Sequence, residues 1–131
     1  MTQKTFSKTL VPSSANAQTP LVVPAVTGAM TANFNSAPIA ISKYNTVSIQ
    51  ASWTGTPTGT LQLQISNDPT LFPAGGPQVW TNYSGTSAPV SGTPDSFVWN
   101  LNCPALWVRV AYTFTSGTGQ LTVYTHGKAP N

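Results

Sequence analysis

The chain has 131 residues, of which 40% are hydrophobic and only 5% charged, and its net charge is +3. This length suits one domain with one core, and the near absence of charged helix formers favours β-structure over helix. The five Lys and Arg residues are scattered and no apolar run approaches ~20 residues, so neither a specific nucleic-acid partner nor a membrane partner is expected.

Residues 1–20 are predicted to form an extended arm in front of a single domain at residues 21–131. The arm has few sizeable apolar side chains, namely Phe6, Leu10 and Val11. Alone it cannot offset its ordering entropy, so we expect it to be held either by its own domain, with Thr5–Val11 as an edge strand, or by a neighbouring chain through strand addition. The first residues lack the apolar stretch of a signal peptide, which favours a protein that is made and kept in the cytosol, or released by lysis or assembly rather than by secretion.

The first half of the domain predicts four strands. Leu21–Thr27 is expected at a sheet edge, because Pro24 cannot donate a ladder hydrogen bond. After a loop or crossing at Gly28–Ser36 and a short strand at Ile39, two alternating runs follow, with apolar positions at Val47, Ile49, Ala51 and Trp53 and then at Leu61, Leu63 and Ile65. The turn-rich connector Thr54–Gly59 predicts that these two runs form a β-hairpin.

The second half predicts further strands separated by loops. Loops are expected at Asn67–Gln78 and Ser84–Pro94, and short strands at Val79–Tyr83 and Phe97–Leu101. Within Leu106–Lys128, two alternating runs flank Ser116–Gly119 and predict a second hairpin. The whole pattern, about seven to nine antiparallel strands, is typical of an all-β domain with a β-sandwich or jelly-roll-like fold.

The titratable residues argue against an enzyme. Asp68 and Asp95 are the only carboxylate side chains, and both lie beside prolines in turns, where Asp commonly bonds nearby backbone. His126 and Cys103 are each the only residue of their type, and nothing in the local sequence pairs them. A buried, inert cysteine is expected. We therefore expect no catalytic residues, no bound metal and no cofactor.

The aromatic residues are the remaining candidates for a binding surface. Trp53 and Trp99 are in phase with apolar neighbours and are expected in the core. Trp107 instead shares a strand face with Arg109 and is the best candidate for contact with a partner, followed by Trp80 and Tyr83 beside long loops. The predicted contact residues, with those of the arm, are Lys4, Phe6, Lys8, Trp80, Tyr83, Trp107 and Arg109.

Three stretches carry a resemblance to a known group of proteins: Ser48–Leu61, Gln64–Asp68 and Trp107–Gly119. They resemble small β-sandwich structural proteins of tailed bacteriophages, in which the patterns W-x-G-T-P-x-G-T and V-R-V-x-Y…S-G-x-G recur. The likeness covers roughly Val47 to Lys128 and leaves the arm uncovered. It implies a virion component, such as a capsid decoration or cement protein assembled in the host cytoplasm, with no catalytic residues to carry over.

Two functions from different classes follow. In the first, the protein is a homo-oligomeric virion component that stabilises the shell by contacts with the major capsid protein or other virion subunits. In the second, it is a carbohydrate-binding or host-recognition module of a fibre or tail, with Trp107, Trp80 or Tyr83 against the sugar. An enzyme ranks last.

Overall fold

The computed structural model describes the backbone of residues 21–102 and 104–128, and the side chains from Thr27 onward. The strands, in chain order, are β1 (Leu21–Ala29), β2 (Phe34–Asn35), β3 (Ile39–Ala40), β4 (Thr46–Gly55), β5 (Thr58–Ser66), β6 (Thr81–Asn82), β7 (Ala88–Ser91), β8 (Asp95–Leu101), β9 (Trp107–Ser116) and β10 (Gly119–Lys128). One 3-10 turn, Phe72–Ala74, interrupts the loop after β5. Within these two ranges there is no helix with the length and apolar character needed to cross a membrane.

The strands form two antiparallel sheets. The four-stranded sheet has the order β1-β10-β4-β8, and the six-stranded sheet has the order β2-β9-β5-β6, with β3 also paired to β9 and β7 to β5. The predicted all-β sandwich is therefore confirmed. Ten strands are described, against the predicted seven to nine, because β2, β3 and β6, which are two residues long, are counted with the longer ones.

The core lies between the sheets and follows the period-two pattern of the sequence. Its largest contributors are the alternating apolar residues of β4, β5, β9 and β10, together with Trp99 and Leu101 of β8. Burying a Val, Leu or Ile side chain contributes ~1.5–3 kcal/mol, so these repeated contacts are the main source of stability. Trp53 and Trp99 are both buried, as predicted, and their indole Nε1 atoms donate to the carbonyl oxygens of Thr93 and Thr86, each at 2.9 Å.

The two predicted hairpins are wrong. β4 and β5 lie in different sheets, and so do β9 and β10, so each connector carries the chain from one sheet to the other. The actual partners are β4 with β10 and β5 with β9. Alternation shows which face of a strand is buried, but it does not show which strand is the hydrogen-bonded neighbour. Two strands with apolar faces can lie side by side in one sheet or face each other across the core from different sheets.

The two inter-sheet connectors lie against each other at one end of the sandwich. The amide of Thr56 donates to the carbonyl oxygen of Thr118 at 2.8 Å. Gly117 has a φ of +83°, and a Cβ at this position would overlap the carbonyl oxygen of Thr56. A glycine is needed here both for the backbone conformation and for the close approach of the two connectors.

Other local predictions are confirmed or corrected by the sheets. Among the described strands β1 lies at an edge, as expected from Pro24, and its register with β10 also shifts between Val23 and Val26. The predicted strand at Val79–Tyr83 is limited to β6, and the predicted loop Ser84–Pro94 contains β7, whose Pro89 made it look like a loop. The predicted arm and Cys103 lie outside the described residues.

Candidate functional site

A row of polar side chains crosses three strands on the outer surface of the six-stranded sheet. Gln64 of β5 and Arg109 of β9 are direct cross-strand partners, and Asn82 of β6 is the partner of Gln64 on the other side. Arg109 Nε donates to Gln64 Oε1 at 2.8 Å, and Gln64 Nε2 donates to Asn82 Oδ1 at 2.9 Å. Each side chain in the row is therefore oriented by its neighbour before any partner binds.

The ring of Trp80, the residue before β6, lies against the arginine of this row. The guanidinium carbon of Arg109 lies 4.3 Å from the centroid of the Trp80 ring, and Trp80 Nε1 donates to the carbonyl oxygen of Pro77 at 3.1 Å. Such a cation–π contact is worth ~0.5–1 kcal/mol at an exposed site. Partial burial lowers the pKa of Arg109, but arginine starts so far above neutrality that the guanidinium remains charged.

Trp107 lies two residues before Arg109 on the same face of β9. Its ring meets that of Phe72 edge to face, with centroids 5.7 Å apart and an interplanar angle of 87°. The structure therefore brings together three of the predicted contact residues, Trp80, Trp107 and Arg109. We call the assembled surface the aromatic face; it comprises Gln64, Phe72, Trp80, Asn82, Trp107 and Arg109.

The loop that supplies Phe72 and Trp80 is closed by one carboxylate. Asp68 Oδ1 accepts hydrogen bonds from the amide and hydroxyl of Thr70 at 3.0 and 2.6 Å, and Oδ2 accepts from the amides of Gln78 and Val79 at 2.6 and 3.3 Å. These bonds, led by that from the Thr70 hydroxyl, lower the pKa of Asp68 to about 2. The predicted turn role of Asp68 is confirmed. We call residues 67–80 the Asp68 loop.

The Asp68 loop displays apolar side chains to solvent. Leu71, Phe72 and Val79 are 67%, 55% and 69% exposed. Val79 also borders a groove of about 590 Å³ beside β5, lined further by Ile65, Ser66, Asn67, Asp68 and Thr81. Apolar side chains exposed on one hydrogen-bonded loop beside a groove are typical of a surface that binds another molecule.

Of the remaining predicted contact residues, the structure describes only Tyr83, which does not join this surface. Tyr83 packs partly against the core, and its amide donates to the carbonyl oxygen of Leu63 at 2.8 Å. Lys4, Phe6 and Lys8 lie outside the described residues. Their role in binding stays a prediction.

Sequence reasoning missed the exposed residues of the Asp68 loop. Leu71 and Phe72 stand in a stretch rich in Pro and Gly, without strand or helix periodicity. A stretch without strand or helix periodicity is not expected to supply core residues. The presence of Leu71 and Phe72 in such a stretch is therefore the sequence signal that could have identified them as exposed. Gln64 and Asn82 were missed because only the pairing of β5 with β6 and β9 brings them beside Arg109.

The acidic residues do not form a shared centre. Asp68 follows β5 of the six-stranded sheet, whereas Asp95 begins β8 of the four-stranded sheet and accepts a hydrogen bond from the amide of Ser96 at 2.8 Å. Within residues 21–102 and 104–128, no group of three His, Cys, Asp or Glu side chains is placed to hold a metal ion.

The chain matches no protein-family model and no curated protein. Twelve chains of solved structures match it. The crystal structure of PirA is 17% identical, with a TM-score of 0.51 over 78% of this chain and 93% of that one. A Bacillus endospore-appendage protein from disulfide-linked pili is 14% identical (TM-score 0.45; 92% and 98% covered), and a CBM4 structure is 17% identical (TM-score 0.47; 73% and 60% covered). At these identities the likeness extends to the fold alone: the chain is a β-sandwich.

Proposed function

We propose that the protein is a non-enzymatic virion structural protein of the capsid decoration or cement type. Its aromatic face and Asp68 loop bind neighbouring shell subunits. The observation that carries the proposal is the exposure of Leu71, Phe72 and Val79 on a loop that is held closed by Asp68. The sequence resemblance to phage structural proteins supplies the class of partner.

The arrangement fits a protein partner because its apolar groups stand on a preformed surface. The Asp68 carboxylate closes the loop, and Phe72 is packed against Trp107, so little conformational freedom remains to be lost on binding. Interfaces are centred on aromatic and Arg side chains surrounded by polar groups. Trp80, Trp107 and Arg109 supply such a centre, and Gln64 and Asn82 supply polar neighbours.

The contribution of the Asp68 loop to the free energy of binding can be bounded from two of its exposed side chains, Leu71 and Phe72. Full burial of a Leu or Phe side chain is worth ~1.5–3 kcal/mol. Leu71 and Phe72 are already partly covered, since 67% and 55% of their surfaces are exposed. Replacing both with serine is therefore expected to cost ~3 kcal/mol of binding, or about a hundredfold in affinity.

The test uses shells assembled with the gene for this chain deleted. Purified wild-type protein is added back, and bound protein is measured by sedimentation and by imaging of the particles. We expect saturable binding, with affinity lowered about a hundredfold in the Leu71→Ser/Phe72→Ser variant. Tyr124→Ser is the matched control, because Tyr124 is 50% exposed on β10 of the other sheet and its loss should leave binding unchanged.

Two results would contradict the proposal. One is wild-type particles that do not contain the protein. The other is equal binding by wild type and the Leu71→Ser/Phe72→Ser variant, which would mean that the Asp68 loop is not the binding surface. Circular dichroism of each variant separates loss of binding from loss of folding.

A second candidate function is carbohydrate binding, and one observation favours it. The Trp80 ring lies against Arg109, which is hydrogen-bonded to Gln64 and through it to Asn82. An aromatic ring beside oriented amide and guanidinium groups can stack on a sugar ring while the polar groups bond its hydroxyls.

Affinity electrophoresis in gels containing soluble polysaccharides tests this function. Retardation of the wild-type protein that is lost in Trp80→Ala but kept in Tyr124→Ala would support a sugar site on the aromatic face. Equal mobility of wild type and Trp80→Ala in every gel would rule out that site for the polysaccharides used.

A further inference from the structure

In the part of the chain that the structure describes, β8 lies at an edge of the four-stranded sheet. Among the described strands its only partner is β4, so one side of its backbone has no ladder partner there. The other long edge, β1, contains Pro24 and a register shift. The six-stranded sheet ends in short strands, since β2, β3 and β6 have two residues each and β7 has four, including Pro89.

The sequence of β8 lacks the features that normally protect an edge. It is seven residues long, has no proline or lysine, and carries a single charge at Asp95. Phe97 and Val98 are 40% and 46% exposed, whereas Trp99 and Leu101 anchor the strand in the core. An apolar edge strand without such protection is a site at which another strand adds.

We propose that Thr5–Val11 of a second copy of this chain adds to β8 as a further antiparallel strand. The segment has seven residues, like β8, and consists mainly of residues that suit a strand, Thr, Phe, Leu and Val. Charge does not oppose the pairing, because residues 1–20 contain no acid and so bring no like charge to Asp95, the single charge of β8.

The position of β1 favours a second copy over the chain's own arm. Residues 1–20 precede β1, which lies at the opposite edge of the same sheet from β8. To reach its own β8, the arm would cross the outer surface or one end of the sheet, where its backbone groups would find no ladder partners. An arm that leaves one edge and pairs with the other edge of a neighbour repeats head to tail, which produces a ring or a filament.

The first test is the oligomeric state of the purified full chain, measured by native mass spectrometry and sedimentation velocity. Proline at two consecutive positions removes a ladder donor whichever side of the arm faces β8, so Lys8→Pro/Thr9→Pro should lower the oligomer fraction at least tenfold. Ala15→Pro/Asn16→Pro is the matched control, outside the proposed strand, and should oligomerise like wild type. A wild-type monomer, or an oligomer unaffected by Lys8→Pro/Thr9→Pro, would overturn the proposal.

A cross-linking test identifies the acceptor strand. On a Cys103→Ser background, Lys8→Cys and Val98→Cys are made in separate chains, mixed and treated with a short bismaleimide, which tolerates a small shift in register. A dimer that forms far faster in the mixture than in either chain alone supports strand addition to β8. A monomeric cross-link in a chain carrying both cysteines, without the mixed dimer, shows that the arm covers its own β8 and overturns pairing between copies. Neither experiment contains a shell or a polysaccharide, so the result is independent of the proposed function.

Discussion

Replacing Gly117 with alanine tests the contact between the two inter-sheet connectors. At a φ of +83° an alanine costs ~1–2 kcal/mol in backbone strain. The new methyl group would also overlap the carbonyl oxygen of Thr56, and moving that carbonyl disturbs the hydrogen bond between Thr56 and Thr118. Overpacking of this kind costs ~1–3 kcal/mol, and a lost hydrogen bond ~1 kcal/mol. Less the ~0.4–1 kcal/mol gained by restricting the unfolded chain, these costs should lower the free energy of unfolding of Gly117→Ala by ~2–6 kcal/mol.

Gly85 provides the matched control for this substitution. Its φ is +80°, nearly the same as that of Gly117, but no atom lies within 4 Å of where its Cβ would be. Gly85→Ala should therefore cost only the backbone strain, less the ~0.4–1 kcal/mol gained by restricting the unfolded chain. Urea denaturation followed by tryptophan fluorescence measures both variants. Equal losses of stability in the two variants would refute the claim that the connectors are in tight contact.

Two further substitutions test single side chains that accept backbone hydrogen bonds, Thr86 beside β5 and Asp68 in the Asp68 loop. Thr86→Val removes a buried hydroxyl that accepts a hydrogen bond from the amide of Leu63 at 3.2 Å. Urea denaturation should show that this variant loses ~2 kcal/mol of unfolding free energy. Thr54→Val, at an exposed position, is the control and should change the free energy of unfolding by less than ~0.5 kcal/mol. For Asp68, the folded-state pKa of about 2 lies below the ordinary value near 3.9, so its stabilising effect is complete above about pH 4 and is lost as the pH falls toward 2. The difference in stability between wild type and Asp68→Asn should therefore shrink over that range of pH, and a constant difference would contradict the role of the carboxylate.

Much of the fold could be predicted from alternation in the sequence. The runs around Ile49, Leu63, Val110 and Val123 each show a buried face, and all four belong to long strands of the structure. The edge position of β1 was predictable from Pro24, because proline lacks the amide that a central strand needs. These features depend on local sequence alone.

Pairing between strands could not be predicted in the same way. The connectors Thr54–Gly59 and Ser116–Gly119 contain turn residues that suit a hairpin and a crossing between sheets equally well. The alternatives differ in which strands share hydrogen bonds, and that choice depends on packing contacts far apart in the sequence.

In the candidate site, too, features within one strand were predictable and contacts between distant parts of the chain were not. Trp107 and Arg109 were predicted together because they are two residues apart on one strand. Their contacts with Phe72 and Trp80 depend on a loop closed by Asp68, whose partners Gln78 and Val79 lie ten or more residues away. Side-chain hydrogen bonds of this range leave no periodic pattern in the sequence.

The non-local pairing of β4 with β10 and of β5 with β9 also affects how the chain folds. Neither pair of consecutive long strands forms a local hairpin; instead Ile49 pairs with Thr125, and Leu61 with Tyr112. Every central ladder must therefore close a long loop before it gains its first hydrogen bond, and that entropic cost slows folding. We expect refolding from urea in the range of milliseconds to seconds, typical of all-β sandwiches. During that time the apolar edge of β8 is exposed to other chains, so a newly made chain can associate before its core is complete.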